Sequence, residues 1–170
     1  IVFLATSSSV LIGGFGVRGD IYGFLFAAVS GSFLIGTFFS GKLVRQLKLD
    51  RMVGLGIVIG CIGSLTMASL ALAGVKTPAA VIIPMAIYVF GQALVLPHGN
   101  AAALTPLSYS IGTAASLSGF IQSIISASIS FILTAFPHQD ATVMAVTIFF
   151  VSIVALILYL IGVRNSPSKK

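Results

Sequence analysis

The 170-residue sequence predicts an all-α membrane protein built as a six-transmembrane-helix bundle, and three observations carry that expectation. Hydrophobic residues make up 58% of the chain and charged residues 7%, whereas soluble domains carry about 25% charge. Stretches free of Asp, Glu, Lys and Arg run over residues 1–17, 21–41, 52–75, 77–139 and 141–163, and about 20 apolar residues suffice to cross the hydrocarbon core. The basic residues fall unevenly between these stretches, which explains the net charge of +6 by membrane orientation and leaves no reason to invoke nucleic acid.

The elements follow in order. Span one, residues 1–16, is short and begins at Ile1 with no basic region ahead of it, so a signal peptide is a poor reading and a helix cut at its start is expected. Spans two and three cover 21–41 and 52–74, separated by a connection bearing Lys42, Arg45, Lys48 and Arg51. The fourth stretch is too long for one crossing. Its interior reads Pro97-His98-Gly99-Asn100 and then Thr105-Pro106-Leu107-Ser108, a polar loop signature that divides it into span four at 79–97 and span five at 114–136. Gly112 supplies the flexible turn there and Thr113 a candidate N-cap. Span six covers 141–163, giving a six-helix transmembrane domain over 1–163 and a tail over 164–170.

Orientation follows from charge. Lys42, Arg45, Lys48, Arg51, Arg164, Lys169 and Lys170 lie on one side of a six-span chain, and Arg18 and Lys76 on the other. The richer side is expected to be cytoplasmic, so the C-terminal tail is placed inside.

Short connections at 17–20, 76–78 and 137–140 predict closely packed antiparallel neighbours. Helices in lipid approach through small residues, so Gly56, Gly60 and Gly63 on span three and Gly23, Ala27 and Gly31 on span two read as packing seams. Cys61, mid-span and the single cysteine, reads as a small buried residue.

Polar groups inside the membrane are the candidates for chemistry, because each needs a partner or water. On span five Ser118, Gln122, Ser126, Ser130 and Thr134 recur every four residues, with Ser116, Ser123 and Ser128 beside them. The stripe is either a packing face whose hydroxyls bond the preceding turn or one wall of an aqueous solute cavity. Span four places Pro84, Tyr88 and Gln92 on one face, where a phenol and an amide one turn apart could hold an amphiphilic ligand or could bond neighbouring helices. An enzyme is not expected. His98 and His138 fall at opposite membrane sides, no acid lies mid-span, and no catalytic, metal or cofactor site is predicted. Proton coupling, which needs a group that titrates within the bilayer, would then lie outside this chain.

A family resemblance rests on three segments. The stretch from Gly36 through Gly41, Arg45 and Asp50 to Arg51 resembles the loop between helices eight and nine of major facilitator superfamily transporters. Pro97-His98-Gly99-Asn100-Ala101-Ala102-Ala103-Leu104, followed by Gly112-Thr113-Ala114-Ala115-Ser116-Leu117-Ser118-Gly119-Phe120-Ile121-Gln122, is similar to the signature of the bicyclomycin and chloramphenicol resistance branch. Gly13 to Phe26 is similar to the end of helix seven and start of helix eight there. Lys48 stands where the family's loop usually has Gly, and Asp50-Arg51 replaces its usual basic pair.

The resemblance implies helices seven to twelve of a twelve-helix fold, with the N-terminal six-helix half missing. It implies multidrug efflux by drug:proton antiport in a bacterial cytoplasmic membrane, with a small amphiphilic solute, protons and the lipid bilayer as partners. Tyr88, Gln92, Ser118, Gln122 and Ser126 become substrate-pathway candidates, and Gly41, Arg45, Asp50 and Arg51 candidates for a cytoplasmic gate. A metabolite exporter of the same fold and a six-span scaffold subunit without transport are the alternatives.

Overall fold

A long uncharged run in lipid has no water for its backbone, so each N–H and C=O must be paired within the segment or a closed barrel. The computed structural model describes residues 9–14, 16–44, 47, 49–75, 77–104, 111–134 and 141–165. It takes the helical solution five times: α1 Gly19–Leu43, α2 Leu49–Leu72, α3 Pro78–Leu104, α4 Ile111–Thr134 and α5 Ala141–Asn165, after a short π-helical segment at Ser9–Gly14. No strand occurs among the described residues. Four segments, Gly19–Leu43, Arg51–Leu72, Pro78–Ala101 and Thr142–Gly162, are long and apolar enough to cross a membrane. α4 matches them in length and carries more hydroxyls.

α1, α2, α3, α4 and α5 correspond to spans two to six, and most ends fall within a few residues of expectation. Span four is the exception. Its helix continues to Leu104, so Pro97, His98, Gly99 and Asn100 are helical, and the rest of the expected loop, 105–110, lies outside the described residues. Proline lacks only its own N–H, and a membrane helix absorbs that loss when neighbouring groups re-satisfy the freed carbonyl. α4 in turn starts at Ile111, which puts Gly112 and Thr113 inside the helix and removes their expected roles as turn and N-cap. Of span one, the described part is Ser9–Gly14 and Gly16, so the expected truncated helix lies mostly outside the described residues.

The helices pack as a row in the order α1, α3, α2, α5, with α4 touching α3 only slightly. Chain neighbours are therefore mostly not spatial neighbours: of the expected antiparallel pairs only α2 and α3 pack along their lengths. Glycine sets that contact. A Cβ on Gly56 would lie 2.7 Å from the Gly91 carbonyl oxygen, and one on Gly63 would lie 2.7 Å from the Tyr88 nitrogen and 2.8 Å from the Pro84 oxygen. The two backbones touch, as close helix packing in lipid requires.

α5 runs antiparallel to α2 on its other side. The Tyr159 ring fills the space beside Gly54, and the Cys61 thiol donates to the Ser152 carbonyl at 3.5 Å. Cys61 is half-buried and helps join two helices, in keeping with a structural role. At the opposite end Met67, Val81, Ile82, Met85, Met144, Ala145 and Ile148 form the core together with Leu11, Val17 and Val29.

α1 reaches α3 through a glycine that the small-residue spacing did not single out. Gly36 sits so close that a Cβ would be 2.7 Å from the Ala93 Cβ and 3.0 Å from the Phe90 oxygen. Gly23 and Gly31, expected to form a seam, face open space instead. Gly23→Ala and Gly31→Ala are therefore expected to leave thermal unfolding in detergent unchanged or raised, since Ala gains about 0.5–1 kcal/mol over Gly inside a helix. A clear loss of stability in either variant would restore the seam on that face.

Large apolar side chains cover the outside. Phe24 is 80% exposed, Phe131 76% and Leu34 70%, and α5 is apolar on all sides. Such a surface suits hydrocarbon and not water.

Candidate functional site

α1 and α3 run parallel and touch at Gly36, where Phe39 and Phe90 also meet with ring centroids 6.3 Å apart. Toward the start of α1 the helices leave a groove of about 540 Å³ between them. Phe26, Val29, Ser30, Phe33 and Leu34 line it from α1, and Met85, Tyr88, Val89, Gln92 and Leu96 from α3. These positions are central in both apolar segments, so the groove lies near mid-membrane depth. Its size and its mainly apolar wall with a few polar groups match small-molecule sites, which are typically about 300–1,000 Å³.

Tyr88 and Gln92 thus do share one face, as their spacing predicts, and that face lines a cavity. Helix geometry brings them together, since residues four apart lie one above the other. The Tyr88 phenol lies near the side chains of Ser152 and Gln92. Ser152 Oγ donates to the Ile148 carbonyl at 2.7 Å. Gly60, beside the Tyr88 ring at 3.7–3.8 Å from its own missing Cβ, leaves room for that ring between α3, α2 and α5. Tyr88 therefore lines the groove and also packs against α2.

The α1 half of the wall was not foreseen. Phe26, Ser30 and Phe33 recur at helical spacing, a signal present in the sequence one position removed from the Ala27 and Gly31 that the small-residue pattern selected. α4 contributes nothing to this groove. Ser118 and Gln122 are exposed and Ser126 is half-buried, on a helix with only a slight contact to α3. Ser116 and Ser123 donate to the Gly112 and Gly119 carbonyls, each at 2.9 Å, which is the back-bonding that the packing alternative anticipates. Of the five expected pathway residues, Tyr88 and Gln92 line the groove together, while Ser118, Gln122 and Ser126 are placed apart from them on α4.

Of the expected gate residues, Arg45 lies outside the described residues, as does the side chain of Asp50. Gly41 and Arg51 are exposed at the facing ends of α1 and α2. Lys42 is held 4.6 Å above the centroid of the Phe38 ring, and Arg18 pairs with Asp20 at 3.1 Å on the exposed opposite end of α1. Exposed contacts of these kinds are worth about 0–1 kcal/mol and matter chiefly for where the helix ends sit. No group of three or more His, Cys, Asp or Glu capable of holding a metal occurs among the described residues.

Comparison of the chain with protein-family models, with curated proteins and with solved structures finds no match, so its functional reading rests on the groove itself.

Proposed function

We propose that the chain forms one half of a secondary active transporter that exports small amphiphilic solutes in exchange for protons, with the α1–α3 groove as its part of the solute site. The single observation that carries the reading is a mid-depth groove of about 540 Å³ whose apolar wall offers Tyr88, Gln92 and Ser30 as polar anchors. Transporters place solute near the bilayer midplane between two helical bundles that rock against each other, and a partner bundle of six helices would close the open side of this groove. The sequence resemblance to the drug-resistance branch of the major facilitators supports the same architecture. The cytoplasmic C-terminus and the bacterial inner membrane belong to this proposal.

The wall favours a hydrophobic drug over a sugar or amino acid. Seven of its ten residues, Phe26, Val29, Phe33, Leu34, Met85, Val89 and Leu96, are apolar, and none carries a charge. A polyol would leave most of its hydroxyls unpaired there, at a cost of about 1–3 kcal/mol for each.

The test is transport by the full-length chain in proteoliposomes with an imposed proton gradient. Uptake of a hydrophobic antibiotic should depend on the gradient and should not be competed by sugars or amino acids. Tyr88→Phe removes one of the three polar anchors of the groove and is expected to lower transport about fivefold to tenfold, the effect of one hydrogen bond to solute of about 1–1.5 kcal/mol. Gln122→Ala, on α4, is expected to leave transport within about twofold of the parent. The reverse ranking of these two variants would move the solute site to α4.

A further inference from the structure

The α1–α3 interface holds a second polar feature, at the far end of the groove. Ser40 Oγ and His98 Nε2 are 2.6 Å apart, with the two residues only 2% and 8% exposed. Ser40 lies six positions beyond Leu34 on α1 and His98 two positions beyond Leu96 on α3, and these leucines are the last lining residues on either helix toward this end. His98 falls inside the apolar segment Pro78–Ala101, three positions before its end, on a helix that could cross the membrane.

We propose that Ser40 and His98 form a proton-binding latch, which holds this end of the groove closed while His98 is neutral and releases α1 from α3 when His98 takes up a proton. The latch takes the tautomer in which the Ser40 hydroxyl donates to Nε2, so two buried polar groups satisfy each other only as long as the helices stay together. A proton arriving at Nε2 turns that nitrogen into a donor. Ser40 must then turn its own hydrogen elsewhere, and the carbonyl of Gly36 one turn back is within the usual reach of a helical serine. The imidazolium is left with one hydroxyl oxygen for a partner, one turn beyond the close contact of Gly36 with Ala93 and Phe90. Water solvates such a cation far better, so the proton favours separation of the two helices.

The charged and titratable groups around this end set the direction. On α1, Lys42 is exposed over Phe38. On α2, the antiparallel register that sets Gly56 beside Leu94 and Val95 brings Asp50 and Arg51 to about the level of His98. α4 has no charged residue, and on α5, where Tyr159 packs against Gly54, Arg164 follows five positions further toward this end. Lys42 and Arg51 oppose a further positive charge here, and Asp50 is the acid whose position on α2 falls at this level.

This places a proton site inside the half of the transporter that carries the solute groove, and it rests on the solute reading only for its role in transport. The latch itself is measured without any solute. Full-length protein with Cys61→Ala, spin-labelled at the exposed positions Gly41→Cys and Asn100→Cys, is placed in lipid nanodiscs and its label distances are recorded at pH about 8 and about 5. The expected result is a distance longer by about 2 Å or more at the lower pH, comparable to the helix shifts of switching proteins. His98→Gln should abolish the pH response, Asp50→Asn should retain it, and Ser40→Ala should lengthen the distance already at pH about 8. A parent distance that ignores pH, or a His98→Gln response equal to the parent's, overturns the latch, and loss of the response in Asp50→Asn reassigns the proton to that acid. If His98→Gln cannot be recovered folded, Ser40→Ala decides, and an unchanged distance at pH about 8 then overturns it.

Discussion

Gly91→Val is expected to abolish the folded bundle. A Cβ at Gly91 would lie 2.6 Å from the Gly56 carbonyl oxygen and 2.7 Å from the Gly60 nitrogen, and both are backbone atoms of α2. No rotamer change relieves such a clash, so α2 and α3 must separate along the seam that organises the rest of the row. Overpacking typically costs about 1–3 kcal/mol where side chains can yield, and a backbone clash belongs at or above the top of that range. A whole protein has only about 5–15 kcal/mol of stability, and weaker helix contacts on both sides of the seam depend on this one. The expected readout is loss of monodisperse protein from detergent, or a thermal midpoint lowered by many degrees. Gly60→Ala is the internal comparison: its Cβ would meet the Tyr88 ring at 3.7–3.8 Å, an ordinary contact, and the variant should fold. Equal behaviour of Gly91→Val and the parent would show that the seam does not hold the helices.

Ser30→Trp is expected to eliminate solute binding while leaving the bundle folded. Ser30 is exposed to the groove from α1, opposite Tyr88, Val89 and Gln92. An indole there takes up a large part of a space of about 540 Å³ and excludes a drug-sized solute. The substitution adds apolar surface to a position that faces the groove and not the protein interior, so it creates no overpacked core. Transport should fall at least tenfold, which corresponds to about 1.4 kcal/mol of lost binding, while the thermal midpoint stays near that of the parent. Undiminished export by a folded Ser30→Trp protein would remove the groove from the solute pathway.

Much of the fold was legible because the membrane makes helices obligatory and writes their lengths as uncharged runs. The α2 seam was legible for the same reason: glycines at spacings of four and three on one helix can serve close backbone contact, and Gly56 and Gly63 do so. The same pattern at Gly23 and Gly31 misled, since small residues are frequent in membrane helices and spacing does not say which face has a neighbour. Pro97 to Asn100 misled in another way. In water such a sequence signals a turn, whereas here the helix continues and His98 finds Ser40, 58 positions away in the chain. That partnership is long-range and leaves no local trace.

The candidate site was half legible. Tyr88 and Gln92 are polar residues one turn apart on an apolar helix, so periodicity alone brings them together. The α4 stripe obeys the same periodicity, yet α4 lies outside the row, with Ser116 and Ser123 bonded to their own backbone, Ser118 and Gln122 exposed and Ser126 half-buried. Periodicity reveals a face but not what it meets. Short connections were a partial guide: the one at 76–78 joins α2 and α3, which do pack, whereas α1 packs on α3 and α5 on α2, each skipping its nearest neighbour in the chain.

The claim on which the functional account stands is that the α1–α3 groove receives the solute. Photo-crosslinking tests it most directly, using the full-length protein in lipid, a photoactivatable neutral aromatic amphiphile and unlabelled chloramphenicol as competitor. The account predicts competed adducts on α1 between residues 26 and 34 and on α3 between residues 85 and 96, with none on α4. Competed adducts confined to α4, or labelling of the groove that no competitor reduces, would contradict it.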